Sequence, residues 1–190
     1  MIAYINVFIE IFAMLNERIS YMKNLKKYRL NPVAKFCIKL LVIILSIVAA
    51  LSFVIQIHRN TGNENSPFVR DGDLCIFNRL ATININDVVL YESPNGQLKV
   101  GRIVAVPSQK VDINDTGTYR VNDYLPEEEI TYPTKLPENN KINYPLILKS
   151  NQYFILNDFR TLTSDSREYG VISKSQIHGN LLMLFRRRGF

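Results

Sequence analysis

A chain of 190 residues, 47% apolar and 21% charged, has room for one domain plus an anchor or tail but not for two full enzyme domains. Its two cysteines, Cys37 and Cys75, and two histidines, His58 and His178, argue against a disulfide framework and a zinc site, and no metal or cofactor is expected. The net charge of +6 gathers before residue 40, where seven Lys and Arg stand against two Glu. Basic residues flanking an apolar run, rather than spread over a folded body, argue against nucleic-acid binding.

Taken in chain order, residues 1–39 form a basic N-terminal segment. Its first fifteen residues, MIAYINVFIEIFAML, read as an interfacial helix or as sequence upstream of a true start at Met14 or Met22. From Leu40 to Ile57 eighteen residues carry no charge, close to the ~20 needed to cross a hydrocarbon core as a helix. The Lys and Arg bias places the N-terminus in the cytoplasm and residues beyond about 60 outside the plasma membrane. A cleaved secretory signal is the alternative. The length of the run and the exit Gln56-Ile57-His58-Arg59, which lacks an Ala-x-Ala site, favour an anchor.

Past Gly62 the texture turns to short β-rich runs. Strands are expected at 73–77, 87–91, 98–106, 119–121, 153–156 and 176–185. Hairpin connections are expected at Ser93-Pro94-Asn95-Gly96 and Asp115-Thr116-Gly117. A Pro-, Asn- and Glu-rich stretch at about 122–144, containing Glu127-Glu128-Glu129, reads as a loop-rich insertion, and Arg186-Arg187-Arg188 as a basic tail. The expected architecture is a mainly β domain over 60–190 behind one membrane helix at 40–57.

Four stretches of this domain resemble, in order, the boxes of the type I signal peptidases, membrane-anchored Ser/Lys proteases with antiparallel, partly barrel-like β domains. The first is GNENSPFVRDGD (62–73), against the family's Ser-Met-x-Pro-Thr-Leu-x-x-Gly-Asp. The second is DVVLY (87–91) and the third GRIVAVP (101–107), against Lys-Arg-Val-Ile-Gly-Leu-Pro. The fourth is NDFRTLTSDSREYG (157–170), against Gly-Asp-Asn-Arg-x-Asn-Ser-x-Asp-Ser-Arg-x-Phe-Gly.

The resemblance implies a serine nucleophile and a lysine that stays neutral by burial and takes the serine's proton. Aligning on Pro67 and Gly72-Asp73 puts Glu64 at the serine position, Asn65 at the family's Met and Ser66 at a variable site. Arg102, Ile103 and Pro107 put Gly101 at the lysine position. Both halves of the dyad are thus absent, which implies a pseudoenzyme. A displaced dyad, Ser66 with Lys99 or Lys110, stays open as the alternative of an active peptidase. It requires the hydroxyl to move by about 6–7 Å against a proton-transfer reach of ~3 Å. The set Asp165-Ser166 with His178 is set aside as a triad, since adjacent side chains on one strand or turn point apart.

The resemblance further implies an extended peptide site along Gly62, Asn63, Glu64, Asn65, Ser66, Lys99, Val100, Gly101, Arg102 and Ile103. Asp158, Arg160, Asp165, Ser166 and Arg167 are expected to form a supporting hydrogen-bond network. Glu64 is expected to be exposed, protonated, or paired with Arg102 or backbone N–H groups. Dyad-less relatives of this shape, the SipA-type signal-peptidase-like proteins of Gram-positive pilus loci, imply an accessory or chaperone role in sortase-mediated pilus assembly. The implied partners are pilin, sortase or both, beside the membrane; oligomeric state stays open. An intact scaffold would be tested by restoring the dyad with Glu64→Ser and Gly101→Lys.

Overall fold

The computed structural model describes residues 31–126 and 132–186. The expectations for residues 1–15, for most of the basic flank, for Glu127-Glu128-Glu129 and for Arg187-Arg188 lie outside the described residues. By backbone contacts the chain divides into two compact units, residues 1–48 and 49–190.

Helix α1 spans Pro32–Val54. Pro at the first helical position suits its fixed φ, and Asn31 Oδ1 accepts from Val33 N at 3.3 Å to satisfy one free N–H. At ~1.5 Å per residue the 23 residues reach about 34 Å, enough to cross a bilayer core. None of its side chains is buried. Its two hydroxyls, Ser46 and Ser52, donate back to Val42 O and Ala49 O at 2.7 Å each, so neither presents an unsatisfied donor. By length and composition α1 can be a membrane anchor or a signal sequence.

The expected span of 40–57 is displaced. The helix starts eight residues earlier and stops at Val54, while Ile55–Arg59 form strand β1. The reason is a change of periodicity: Ile55, Ile57 and Arg59 alternate with Gln56 and His58, and each residue pairs with one of Asn78–Leu74 on the neighbouring strand. The β domain therefore starts at 55 rather than 60.

The strands that follow are β2 Leu74–Asn78, β3 Val88–Glu92, β4 Leu98–Ala105, β5 Lys110–Ile113, β6 Tyr119–Val121, β7 Leu146–Ile147, β8 Gln152–Leu156, β9 Ile172–Ser173 and β10 Ile177–Phe185. They make a mainly β domain with a curled seven-stranded antiparallel sheet, ordered β1-β2-β10-β3-β4-β8-β9, and a three-stranded sheet, β6-β5-β7. The short helix α2, Ser166–Tyr169, follows β8. Between Val121 and Leu146 the described residues contain no strand.

Central strand β3 explains why the sheet is covered on both sides. Val88 and Leu90 pack with Val69, Cys75, Phe77 and Val100, whereas Val89 and Tyr91 pack with Ile103, Tyr153, Ile155 and Ile172. An unbroken apolar run suits such a doubly buried strand. A third cluster, around Val111, Tyr119, Leu148 and Phe154, joins the small sheet to β4 and β8. At the other end, the face shared by β1, β2 and β10 leaves Ile57, Leu74, Met183 and Phe185 exposed.

The last strand, β10, fits between β2 and β3, with irregularities in register near Gly179 and Leu181. Gly179 has φ +156°, and a Cβ there would stand 2.8 Å from Asn78 O. Gly179→Ala is therefore expected to lower unfolding free energy by about 1–3 kcal/mol in urea titration, from strain and a backbone clash together.

Candidate functional site

The stretch 60–73 is a loop closed on itself. Asn60 and Asp73 join its ends through the backbone, and Asn60 Nδ2 donates to Gly62 O at 2.9 Å and Arg70 O at 3.0 Å. Gly62 N donates to Asp71 Oδ1 at 2.8 Å, and Asp71 N to Asn63 Oδ1 at 3.2 Å. The Asn, Asp and Gly content of the stretch thus serves local side-chain-to-backbone bonds.

Asn65 carries that loop to the sheet. Its buried amide donates to Val100 O on β4 at 2.7 Å and accepts from Asp158 N at 3.3 Å. Next to it, Phe159 N donates to Glu64 O at 2.9 Å. Asp158 in turn takes both Nε and Nη2 of Arg102, at 2.7 Å each, and Arg102 Nη1 donates to Asn86 O. Three segments distant in sequence, 62–66, 98–102 and 157–159, are locked around one point.

Glu64 and Gly101 flank this point. Glu64 is half-buried, and its carboxylate folds over Gly62, with Cδ 2.9 Å from where a Cβ on Gly62 would sit. Among the described residues no hydrogen bond or ion pair engages that carboxylate, and Arg102 is engaged with Asp158 instead of Glu64. Gly101 lies on the same face of β4 as Lys99. A Cβ there would meet Ile155 Cγ2 at 2.6 Å and Tyr91 Cε1 at 3.1 Å. Both neighbours are fully buried, so the space a side chain at 101 needs is already filled.

Lys99 Nζ donates to Tyr169 Oη at 3.2 Å and Ser164 O at 3.4 Å, and stands 5.4 Å from the Tyr169 ring centre. Glu64, Asn65, Lys99 and Val100 line a cleft of about 590 Å³, together with His58, Thr61, Gln97 and Leu98. Gly62, Asn63, Ser66, Gly101, Arg102 and Ile103 lie outside its lining: Ile103 is core, Arg102 is held by Asp158, and Ser66 sits in the turn before Pro67. Along this cleft, among the described residues, Leu98–Val100 of β4 have a strand neighbour only on the β3 side, since β8 joins β4 from Arg102 onward, and Val100 O is taken by Asn65.

The expected polar network falls into two groups. Asp158 belongs with Arg102 and Asn65. Asp165, fully buried, accepts from Arg167 Nε at 2.9 Å and Nη2 at 2.6 Å, and caps α2 by accepting from Arg167 N. Arg167 also donates to Arg160 O, Leu162 O and Lys135 O, while Arg160 Nη1 donates to Asn157 O at 2.6 Å. Ser166 Oγ accepts from Ile155 N at 2.9 Å. The groups meet at Asn157, whose N donates to Asp165.

Sequence reasoning missed Tyr91 as a site residue. The hairpin at 93–96 fixes the register Tyr91 to Lys99 and Val89 to Gly101, which puts this ring on the face of the lysine position. Its hydroxyl is buried and has no hydrogen-bond partner among the described residues. Burial above all, then the charges of Asp165, Tyr169 and Glu64, push its pKa far above the ordinary phenol range, so it stays a neutral phenol. Burial lowers the pKa of His58. Burial and then Asp73 raise that of the Cys75 thiol to about 11, which leaves it unreactive. Among the described residues no three His, Cys, Asp or Glu side chains converge as metal ligands.

An apolar helix is thus followed in the chain by a curled β domain whose 62–66 loop is tied to β4 and to the loop after β8. Residues 33–185 match the family described as "Signal peptidase, peptidase S26", and the chain belongs to that family. It is similar to "Inactive signal peptidase IA" of Staphylococcus aureus (strain MRSA252), 27% identical, over 82% of this chain and 93% of that protein. It is also similar to "Probable signal peptidase I-1" of Synechocystis sp., 24% identical, over 78% of this chain and 80% of that one. A solved signal peptidase I from Enterococcus faecalis V583 aligns with a TM-score of 0.46 and 21% identity, over 54% of this chain and 98% of that one, a likeness too loose to carry an argument.

Replacing Asn65 tests the lock. Asn65→Ala strands a buried carbonyl at Val100 and a buried N–H at Asp158, and is expected to cost about 1–3 kcal/mol of stability by urea titration.

Proposed function

We propose that this chain is a non-catalytic, membrane-anchored accessory factor, or chaperone, of sortase-mediated pilus assembly, which holds an extended segment of pilin or sortase along its cleft on the outer face of the membrane. The observation that carries the non-catalytic part is the filled space at Gly101. A signal peptidase needs an amine base there, and Ile155 and Tyr91 leave no room for its first carbon. At the nucleophile position Glu64 has a carboxyl group, a poor nucleophile toward an amide. The name "Inactive signal peptidase IA" of a relative supports the same reading. The pilus role is supported by the resemblance to dyad-less proteins of pilus loci.

The alternative of a displaced Ser66–Lys99 dyad has little support. Lys99 directs its amine at Tyr169 and Ser164, and Ser66 is not among the residues lining the cleft. Binding rests on other groups than bond cleavage does: the edge of β4 at Leu98 and Lys99, beside the cleft and before the point where Asn65 takes Val100 O, can take a peptide by β-addition. We read α1 as the anchor, with the N-terminus in the cytoplasm.

Two experiments test this. The double variant Glu64→Ser, Gly101→Lys is expected to cleave no signal-peptide substrate and to melt below the parent, in a chromatographic cleavage assay and a thermal scan; efficient cleavage would show that a lysine fits after all. In a strain deleted for this chain, the parent and Ser66→Ala are expected to restore the ladder of polymerised pilin on immunoblots. Gln97→Trp, which blocks the cleft from an exposed position, is expected not to. A Ser66-dependent ladder would revive the enzymatic reading, and a full ladder from Gln97→Trp would remove the cleft from the function.

A further inference from the structure

The cleft is electrostatically uneven. Its lining holds one carboxylate, Glu64, and one ammonium, Lys99. The ammonium is provided for: Tyr169 Oη, Ser164 O and the Tyr169 ring take its charge from the protein side. The carboxylate is not. No hydrogen bond or ion pair among the described residues engages it, the guanidinium of Arg102 is taken by the carboxylate of Asp158, and His58, whose protonation burial disfavours, adds no cation at neutral pH.

A chain laid along Leu98–Val100 displaces water from Glu64. An ionised carboxylate that loses water without gaining a partner is costly, whereas a primary ammonium or guanidinium brings opposite charge and several donors to it. Resting on the peptide-binding reading above, we infer that Glu64 makes the cleft selective for an extended segment carrying a lysine or arginine side chain at the position that abuts residue 64. The residue at the old nucleophile position is then a specificity determinant. Past residue 39 the chain is nearly neutral, with 16 Lys and Arg against 15 Asp and Glu, so a cationic peptide chosen by this cleft is chosen locally rather than by net charge.

The test uses the full chain in detergent micelles and isothermal titration calorimetry. The probes are eleven-residue peptides of alternating Ala and Val whose central residue is Lys, N-acetyl-lysine, norleucine or Glu, each also with that residue moved one and two places. The expected result is that Lys binds about five- to tenfold more tightly than norleucine or N-acetyl-lysine in one register, and that 0.5 M NaCl erases the difference. Glu64→Gln is expected to bring the Lys and norleucine peptides within about twofold of each other while both still bind. Should Glu64→Gln fail to fold by circular dichroism, the salt series on the parent protein decides alone. Equal binding of all four peptides by the parent overturns the cation preference and leaves the peptide-binding reading standing. Binding of none overturns both.

Discussion

The side-chain amide of Asn65 is the constraint on which the rest of the site depends. One group, buried between a loop, a strand and a second loop, donates to Val100 O and accepts from Asp158 N. An amide is suited to this because it offers a donor and an acceptor on one planar head, and burial forbids it from leaving either unused. Its position in the chain matters as much as its chemistry. With residue 65 pinned, residue 64 has no freedom to move along the cleft, and its own carbonyl is fixed by Phe159 N.

Around that amide two ion pairs act as rigid struts. Arg102 with Asp158, and the fully buried Arg167 with Asp165, are bidentate pairs that also donate to backbone carbonyls, Arg102 Nη1 to Asn86 O and Arg167 Nη1 to Arg160 O. Buried pairs of this kind add little net stability over apolar substitutes, but losing one partner leaves a stranded charge. They hold geometry rather than energy. None of these struts involves Glu64 or Gly101, so the order of the site does not depend on which side chains stand at those two positions.

Much of this was legible in the sequence where a residue's role is local. Turn chemistry at 93–96 and 115–117 and the apolar runs of the longer strands report on near neighbours, and the structure has turns and strands where those signals stand. The helix-to-strand switch at Ile55 was hidden because Ile and Val serve a membrane helix and a strand equally well, and only pairing with β2 separates them. Strands β7 and β9 are two residues long and exist through their partners alone. The bridging role of Asn65 and the filling of the Gly101 face by Ile155 rest on residues tens of positions apart, which no local pattern announces.

The crowding at Gly101 is a property of the core itself: a lysine fits on that strand only after Ile155 and Tyr91 have made way, and both are fully buried in a cluster with Val89, Ile103 and Tyr153. Shrinking either one first opens a void, at about 1 kcal/mol for the loss of a single methylene, and confers no activity in return. Packing, and not only the absence of a side chain at 101, therefore stands against an amine on this face of β4.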